Sequence, residues 1–260
     1  MRIIAIMNQK GGAGKTTTAV NVAAAMGELN QRVLLLDLDP QHSATDWLVG
    51  RNGDGQVDRG LFDCLVNNQT ITNHVYQTNA AGVELIPSTD WMLGVDKALA
   101  MEAGAEAILK ETVEELPEDR WDLVLLDCPP SLGFLSVSAL VAADEVLVPV
   151  EAEYMALSGL ASLLKSIERV QRRLNPKLSL SAVLVCKMDA RKNLSKEVMS
   201  ALSSRFEGIL LGSVVRDNVR LAEAPSFGEP ITTYAPKSAG AADYRAVAQE
   251  LLARYERTGG

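Results

Sequence analysis

Two lysines bracket a glycine-rich run near the start of this chain, Lys10-Gly11-Gly12-Ala13-Gly14-Lys15, which continues into Thr16-Thr17. The apolar run Ile3–Met7 precedes it and reads as a buried strand. The alanine-rich Thr18–Met26 follows and reads as a helix. Strand, glycine loop and helix together make the setting of a phosphate-binding loop. Glycines let successive backbone N–H groups turn inward toward an anion, and the helix adds its positive dipole end. Gly11, Gly12, Ala13, Gly14, Lys15, Thr16 and Thr17 are therefore candidate phosphate contacts. Lys15 would reach the outer phosphates and the Thr16 hydroxyl would ligate magnesium. The common pattern wants Gly six residues before the second lysine. Gln9 stands there instead, followed by the additional Lys10.

Further apolar runs repeat the strand pattern. Arg32–Asp37 ends in Asp37-Leu38-Asp39-Pro40, and Trp121–Asp127 ends in Asp127-Cys128-Pro129-Pro130. Continuous apolar strands imply a parallel sheet covered on both faces by helices. Acids at the carboxyl ends of such strands lie on the ligand edge. By alternation Asp37 and Asp39 would both aim at the loop. Asp127 is a candidate magnesium holder, directly or through water. Pro129 and Pro130 forbid an immediate helix. Strands are also expected over Val83–Pro87, Glu145–Val150 and Leu178–Val185. Helices are expected over Leu61–Val66, within 95–115, over Leu157–Leu174, and over Ala241–Tyr255 with Ala242, Tyr244, Val247, Leu251 and Leu252 apolar. Residues 51–56 read as a polar turn. The alternation gives a doubly wound, mostly parallel α/β sheet flanked by helices, one domain over 1–260.

Composition narrows the function. With 47% hydrophobic and 22% charged residues the chain is of ordinary globular type. No apolar stretch approaches the ~20 residues of a membrane span. Cys64, Cys128 and Cys186 are widely spaced and only His42 and His74 could join them, so a zinc site is not expected. His42 reads as a solvated loop residue. A reducing cytoplasm suits this cysteine usage. The net charge of −8 requires any nucleic-acid role to rest on a local patch. Residues 187–220 supply one, with seven bases against four acids. Few aromatics accompany them, so phosphate contacts without sequence reading are expected.

The doubled lysine resembles the deviant Walker A group of P-loop ATPases, the ParA/MinD family. The resemblance implies that Lys10 crosses a homodimer interface to the partner's ATP. It also implies that Asp39, in the first switch, positions the attacking water and helps hold magnesium with Thr16 and Asp127. Residues Asp127–Gly133 match the second switch. Where the family usually continues Pro-Gln-Gly-Asn, this chain has Pro40-Gln41-His42-Ser43.

Two segments, Asp189–Ser195 and Asn218–Ser226, look like chromosomal and small plasmid ParA proteins, whose arginines matching Arg191 and Arg220 bind DNA. Lys192 stands where those proteins often have Thr, and Arg216-Asp217 where they often have Pro-Arg. Lys196 completes the candidate DNA contacts. Met188, Arg216 and Asp217 are candidate base contacts from the two neighbouring strand exits.

The resemblance implies a cytoplasmic, nucleoid-associated ATPase with ATP and Mg2+ as cofactors. It would close as a dimer, bind double-stranded DNA nonspecifically and be stimulated by a ParB-like or other cargo adaptor. Cargo would be a plasmid, a chromosome origin or a protein body. Because the chain begins on its first strand, an N-terminal helix-turn-helix domain and operator recognition are not expected. A MinD-like membrane switch would need a basic amphipathic tail, and stable membrane binding is not expected. A metabolic enzyme on the same scaffold is the third alternative.

Overall fold

The computed structural model describes residues 1–50, 57, 60–153, 156–189 and 191–258. The polar turn expected at 51–56 lies outside the described residues. Eight strands form one sheet: β1 (Arg2–Ile6), β2 (Val33–Asp37), β3 (Tyr76–Gln77), β4 (Val83–Ile86), β5 (Leu123–Asp127), β6 (Glu145–Glu151), β7 (Ser179–Met188) and β8 (Leu210–Arg216). Their order is β3-β4-β2-β5-β1-β6-β7-β8. Every pairing is parallel except β3 with β4.

The helices are α1 (Lys15–Glu28), α2 (Ser43–Leu48), α3 (Leu61–Asn67), α4 (Val95–Ala98), α5 (Ile108–Glu114), α6 (Phe134–Ala142), α7 (Ala156–Arg173), α8 (Asn193–Arg205), α9 (Val219–Glu223), α10 (Ile231–Tyr234) and α11 (Ala239–Thr258).

Alternation within the strands builds two cores. Leu34, Leu36, Val124 and Leu126 join one apolar cluster, while Val33, Leu35, Leu123 and Leu125 join the other. The first cluster is closed by α5, α6 and α7, whose Leu160, Leu163, Ile167 and Val170 are buried as the leucine stripe predicts. The second is closed by α1 and α11. Each such Leu, Ile or Val contributes roughly 1.5–3 kcal/mol when fully buried. Along α11 the buried stripe is Ala241, Tyr244, Val247, Ala248, Leu251 and Tyr255, whereas Ala242 faces solvent.

Three local differences from the sequence expectation have physical causes. β5 begins at Leu123 rather than Trp121, because the N–H groups of Asp122 and Leu123 both donate to the Arg32 carbonyl, at 2.9 and 3.2 Å, before the regular ladder starts; the Trp121 indole donates to Glu84 at 2.7 Å. The helical spacing of 95–115 is realised in two pieces, α4 and α5, separated around Gly104, where φ is +76°. β3 is two residues long and antiparallel, too short to leave a periodic signal.

Helix α1 can lie close to the loop before β4 only because position 27 lacks a side chain. A Cβ there would come within 2.0 Å of the Ala81 carbonyl oxygen. Gly27→Ala is expected to destabilise the protein by about 1–3 kcal/mol through overpacking. The urea midpoint, read by circular dichroism, checks this.

Candidate nucleotide site

The glycine loop joins β1 to α1 and is held from below. Asn8, nearly buried, donates from Nδ2 to the Pro149 carbonyl at 2.7 Å and accepts from the Lys10 N–H at 3.0 Å. That clamp ties the loop's entry to β6. Gly12 and Gly14 adopt φ of +76° and +86°, conformations that side chains resist. They curl the chain so that the first turn of α1 faces a cavity of about 370 Å³. No acid occupies that turn, so its dipole end is open to an anion.

Gly11, Gly12, Gly14, Lys15, Thr16 and Thr17 line the cavity with Asp39, Arg216 and Asp217. Ala13 is wholly buried beneath it. Met188, the other candidate base contact, does not line the cavity. It packs against the first core cluster, while its carbonyl accepts the Asp217 N–H at 3.1 Å. Lys187 takes its place in the wall, because a φ of +52° interrupts the strand's alternation there. The Arg216 guanidinium is turned to α11, 2.6 Å from Asp243.

Lys15 is only 7% exposed. Burial lowers its pKa, against the opposing charges of Asp127 and Asp39. Asp127 is completely buried, and neither carboxylate oxygen has a hydrogen-bond partner. Burial, then the charge of Asp37, drives its pKa well above the usual carboxylate range. The Thr16 hydroxyl and Lys15 oppose that rise, although Thr16 does not meet hydrogen-bond geometry. An orphaned buried carboxylate beside a hydroxyl is a fit for a hard cation.

Asp39 is nearly buried in the cavity wall, where its Oδ1 accepts the Gln41 N–H at 3.0 Å. No group of three or more His, Cys, Asp or Glu side chains is assembled as a metal cage among the described residues. Magnesium that keeps waters and phosphate oxygens needs none.

Asp37 differs from the alternation argument. It accepts from the Thr45 N–H at 2.9 Å, the Thr45 hydroxyl at 2.8 Å and the Asp39 N–H at 3.1 Å. Its role is to fold the turn that carries Asp39. Burial pushes its carboxyl up to about 6. His42 is not simply solvated either. Its Nδ1 lies 3.1 Å from Asp46 and its Nε2 3.7 Å from Asp90. The three cysteines are buried and free. Burial pushes the Cys128 thiol, beside the second switch, well above its ordinary value.

Lys10 does not line the cavity of its own chain. Its ammonium pairs with Glu151 and lies 2.6 Å from Glu153. The structure brings the candidate DNA contacts to one edge. Arg191 and Lys192 lie at the exit of β7, with Lys196 in the first turns of α8. Arg220 lies beyond the exit of the adjacent β8. All four are exposed. Arg191 pairs with Asp189 at 2.9 Å and Arg220 with Glu223 at 2.8 Å.

A buried lysine and an unpaired acid at the foot of a glycine-loop cavity define a P-loop nucleotide-binding protein of α/β type. Residues 1–180 match the family model AAA_31, an AAA domain. The chromosome-partitioning ATPase Soj of Thermus thermophilus is 44% identical over 98% of this chain and 97% of its own. The chromosome partitioning protein ParA of Myxococcus xanthus is 38% identical over 97% and 88%. A structure of cobyrinic acid a,c-diamide synthase from Mycobacterium smegmatis with bound ATP analog and magnesium superposes with a TM-score of 0.85. It is 33% identical and covers 100% of this chain and 97% of that one. The chain belongs to the ParA/MinD family of ATPases.

Lys15→Ala is expected to weaken ATP binding by about 100-fold or more, since it removes a buried cation from the cavity where the phosphates would sit. Titration with a fluorescent ATP derivative checks this. Wild-type affinity would remove the loop assignment.

Proposed function

We propose that this protein is a ParA-type partition ATPase that closes as an ATP-dependent dimer on nonspecific DNA and moves cargo. One observation carries the reading. The first lysine of the loop, Lys10, is directed away from its own nucleotide cavity and sits at the surface. A cation so placed serves a second copy's triphosphate. The names of the Thermus and Myxococcus relatives, both chromosome-partitioning proteins, support the cargo role.

The cofactors are ATP and Mg2+. Lys15, the loop amides and the partner's first lysine neutralise phosphate charge. Thr16 and Asp127 would hold the magnesium ion, with Asp39 at its edge. When bound, the ion polarises the outer phosphate oxygens. Asp39 orients the attacking water from the cavity wall. Among the described residues Arg216 is the one arginine in the cavity wall, and it is occupied by Asp243 rather than poised as a finger. Intrinsic turnover is therefore slow, and an adaptor of the ParB kind supplies the stimulus.

Dimer closure doubles the basic surface of Arg191, Lys192, Lys196 and Arg220. Avidity then makes DNA affinity depend steeply on nucleotide state. Hydrolysis dissolves the dimer and releases the DNA. This places the protein on the nucleoid in the cytoplasm. No helix among the described residues is long and apolar enough to cross a membrane.

The Mycobacterium structure's name supports a second reading, an ATP-dependent synthase. Retention of labelled duplex with ATP, ADP or no nucleotide separates the two. Retention with ATP alone is expected. ATP turnover with no retention in any state would favour the synthase.

Two substitutions sharpen the test. Asp39→Ala should bind ATP and DNA but not turn over, giving a persistent dimer in light scattering. Arg220→Glu should lose DNA while keeping ATPase activity. For the wild type, log affinity should fall against log salt with a slope of about −0.9 per phosphate contacted.

A further inference from the structure

Strand β6 ends at Glu151, whose side chain is 7% exposed. Its two oxygens serve two different lysines: Oε2 accepts from Lys10 and Oε1 from Lys187. Lys187 reaches across from the end of β7, where its backbone turns to φ +52°. It also donates to the Gly12 carbonyl of the phosphate loop at 2.8 Å. Lys10 has one further acceptor, the exposed Glu153. Glu151 is held below its ordinary pKa by these lysines in spite of its burial.

A buried carboxylate stripped of its only counter-charge is strongly destabilising. If Glu151 faced Lys10 alone, that lysine could not leave without stranding the acid. With two cations on two oxygens, one can depart while the other keeps the acid compensated. The ion pair to Glu153 is solvent-exposed and weak, so it offers little resistance.

We propose that Glu151 and Lys187 are positioning residues for Lys10: the pair parks it at the loop's rim, and Lys187 compensates Glu151 when Lys10 swings to a second copy's phosphates. This rests on the reading that Lys10 acts across the dimer. Lys187 thereby sets how readily Lys10 is released. Without it, Glu151 retains Lys10 as its sole partner, and dimer closure is opposed. With Glu151 neutralised as well, the opposition disappears.

The experiment is dimerisation of the full chain with Mg2+ and the slowly hydrolysed ATPγS, followed by sedimentation velocity across protein concentration. Lys187→Met should raise the dimerisation midpoint by about tenfold, the size of an ordinary coupling between contacting charges. Adding Glu151→Gln to Lys187→Met should return the midpoint to within about twofold of wild type. A merely structural pair would give losses that add. An additive double variant, or a Lys187→Met midpoint equal to wild type, overturns the proposal.

Fluorescent nucleotide titration of the monomer is the control for loop bracing. A loss of affinity in Lys187→Met that Glu151→Gln does not repair would make Lys187 a brace for Gly12, and would also overturn it. Lys10→Ala distinguishes the underlying reading. If that variant dimerises like wild type, the trans role of Lys10 fails and the parking role falls with it. If it does not dimerise while the double variant fails to rescue, the trans role stands and only the parking role is lost.

Discussion

The buried carboxylate of Asp127 and its neighbours set the terms for the rest of this molecule. Asp37 and Asp127 are partners in adjacent parallel strands, both wholly buried. Desolvating two acids side by side is costly, and the structure compensates them unequally. Asp37 receives three hydrogen bonds from the turn it organises. Asp127 receives none, and only the nearby Thr16 hydroxyl and Lys15 charge oppose its burial. The apolar cores on both faces of the sheet must offset that cost. The same burial keeps Asp127 dry, so a cation arriving there interacts at low dielectric rather than through bulk water. The site is thus a region where stability is surrendered to ligand binding.

The inner strands were legible because parallel strands buried on both faces are continuous apolar runs, and five of them end within a residue or two of the expected position. The glycine loop was legible because its backbone chemistry demands particular residues. Legibility failed wherever a positive φ or a strand end broke the two-residue period. Asp37 is the last residue of β2 and Asp39 lies beyond it, so alternation no longer relates them. Lys187 turns left-handed, so it and not Met188 faces the nucleotide cavity. Asn8 and Glu151 were missed for another reason. Their partners, Pro149 and the two lysines, are distant in sequence, and no local pattern announces such a pair. His42 belongs to the same class, since Asp90 comes from a different part of the chain.

The basic segment of 187–220 is less uniformly cationic than its sequence suggests. Arg191, Arg216 and Arg220 each pair with an acid of the same chain. For Arg191 and Arg220 the pairs are exposed, so they are weak and can be exchanged for phosphate at small cost. Arg191 holds the Asp189 carboxyl at about 2. Arg216 is different, because Asp243 is nearly buried and its guanidinium makes several bonds there. The three paired arginines therefore divide into two free to change partners and one that holds α11 to β8.

Sheet order explains why these charges end up where they do. The chain leaves β1 toward β2 and later crosses back past β1 to β6, so the carboxyl end of β1 sits where the connections diverge. On one flank, β2 and β5 deliver Asp37, Asp39 and Asp127. On the other, β6, β7 and β8 deliver Glu151, Lys187, Arg191 and Arg216. The acids lie where a cation is needed, and the bases lie where polyanions would approach. The glycine loop sits between them and presents N–H groups to whatever binds. A triphosphate with its metal ion has the matching polarity, with cation toward β5 and anionic oxygens toward the loop. Glu151 is a buried acid on the basic flank. Its two lysine partners compensate it there, because an uncompensated buried acid beside a phosphate site would repel the ligand. The charge pattern of the site is therefore a consequence of which strands neighbour β1, and residue identity at each strand's end completes it.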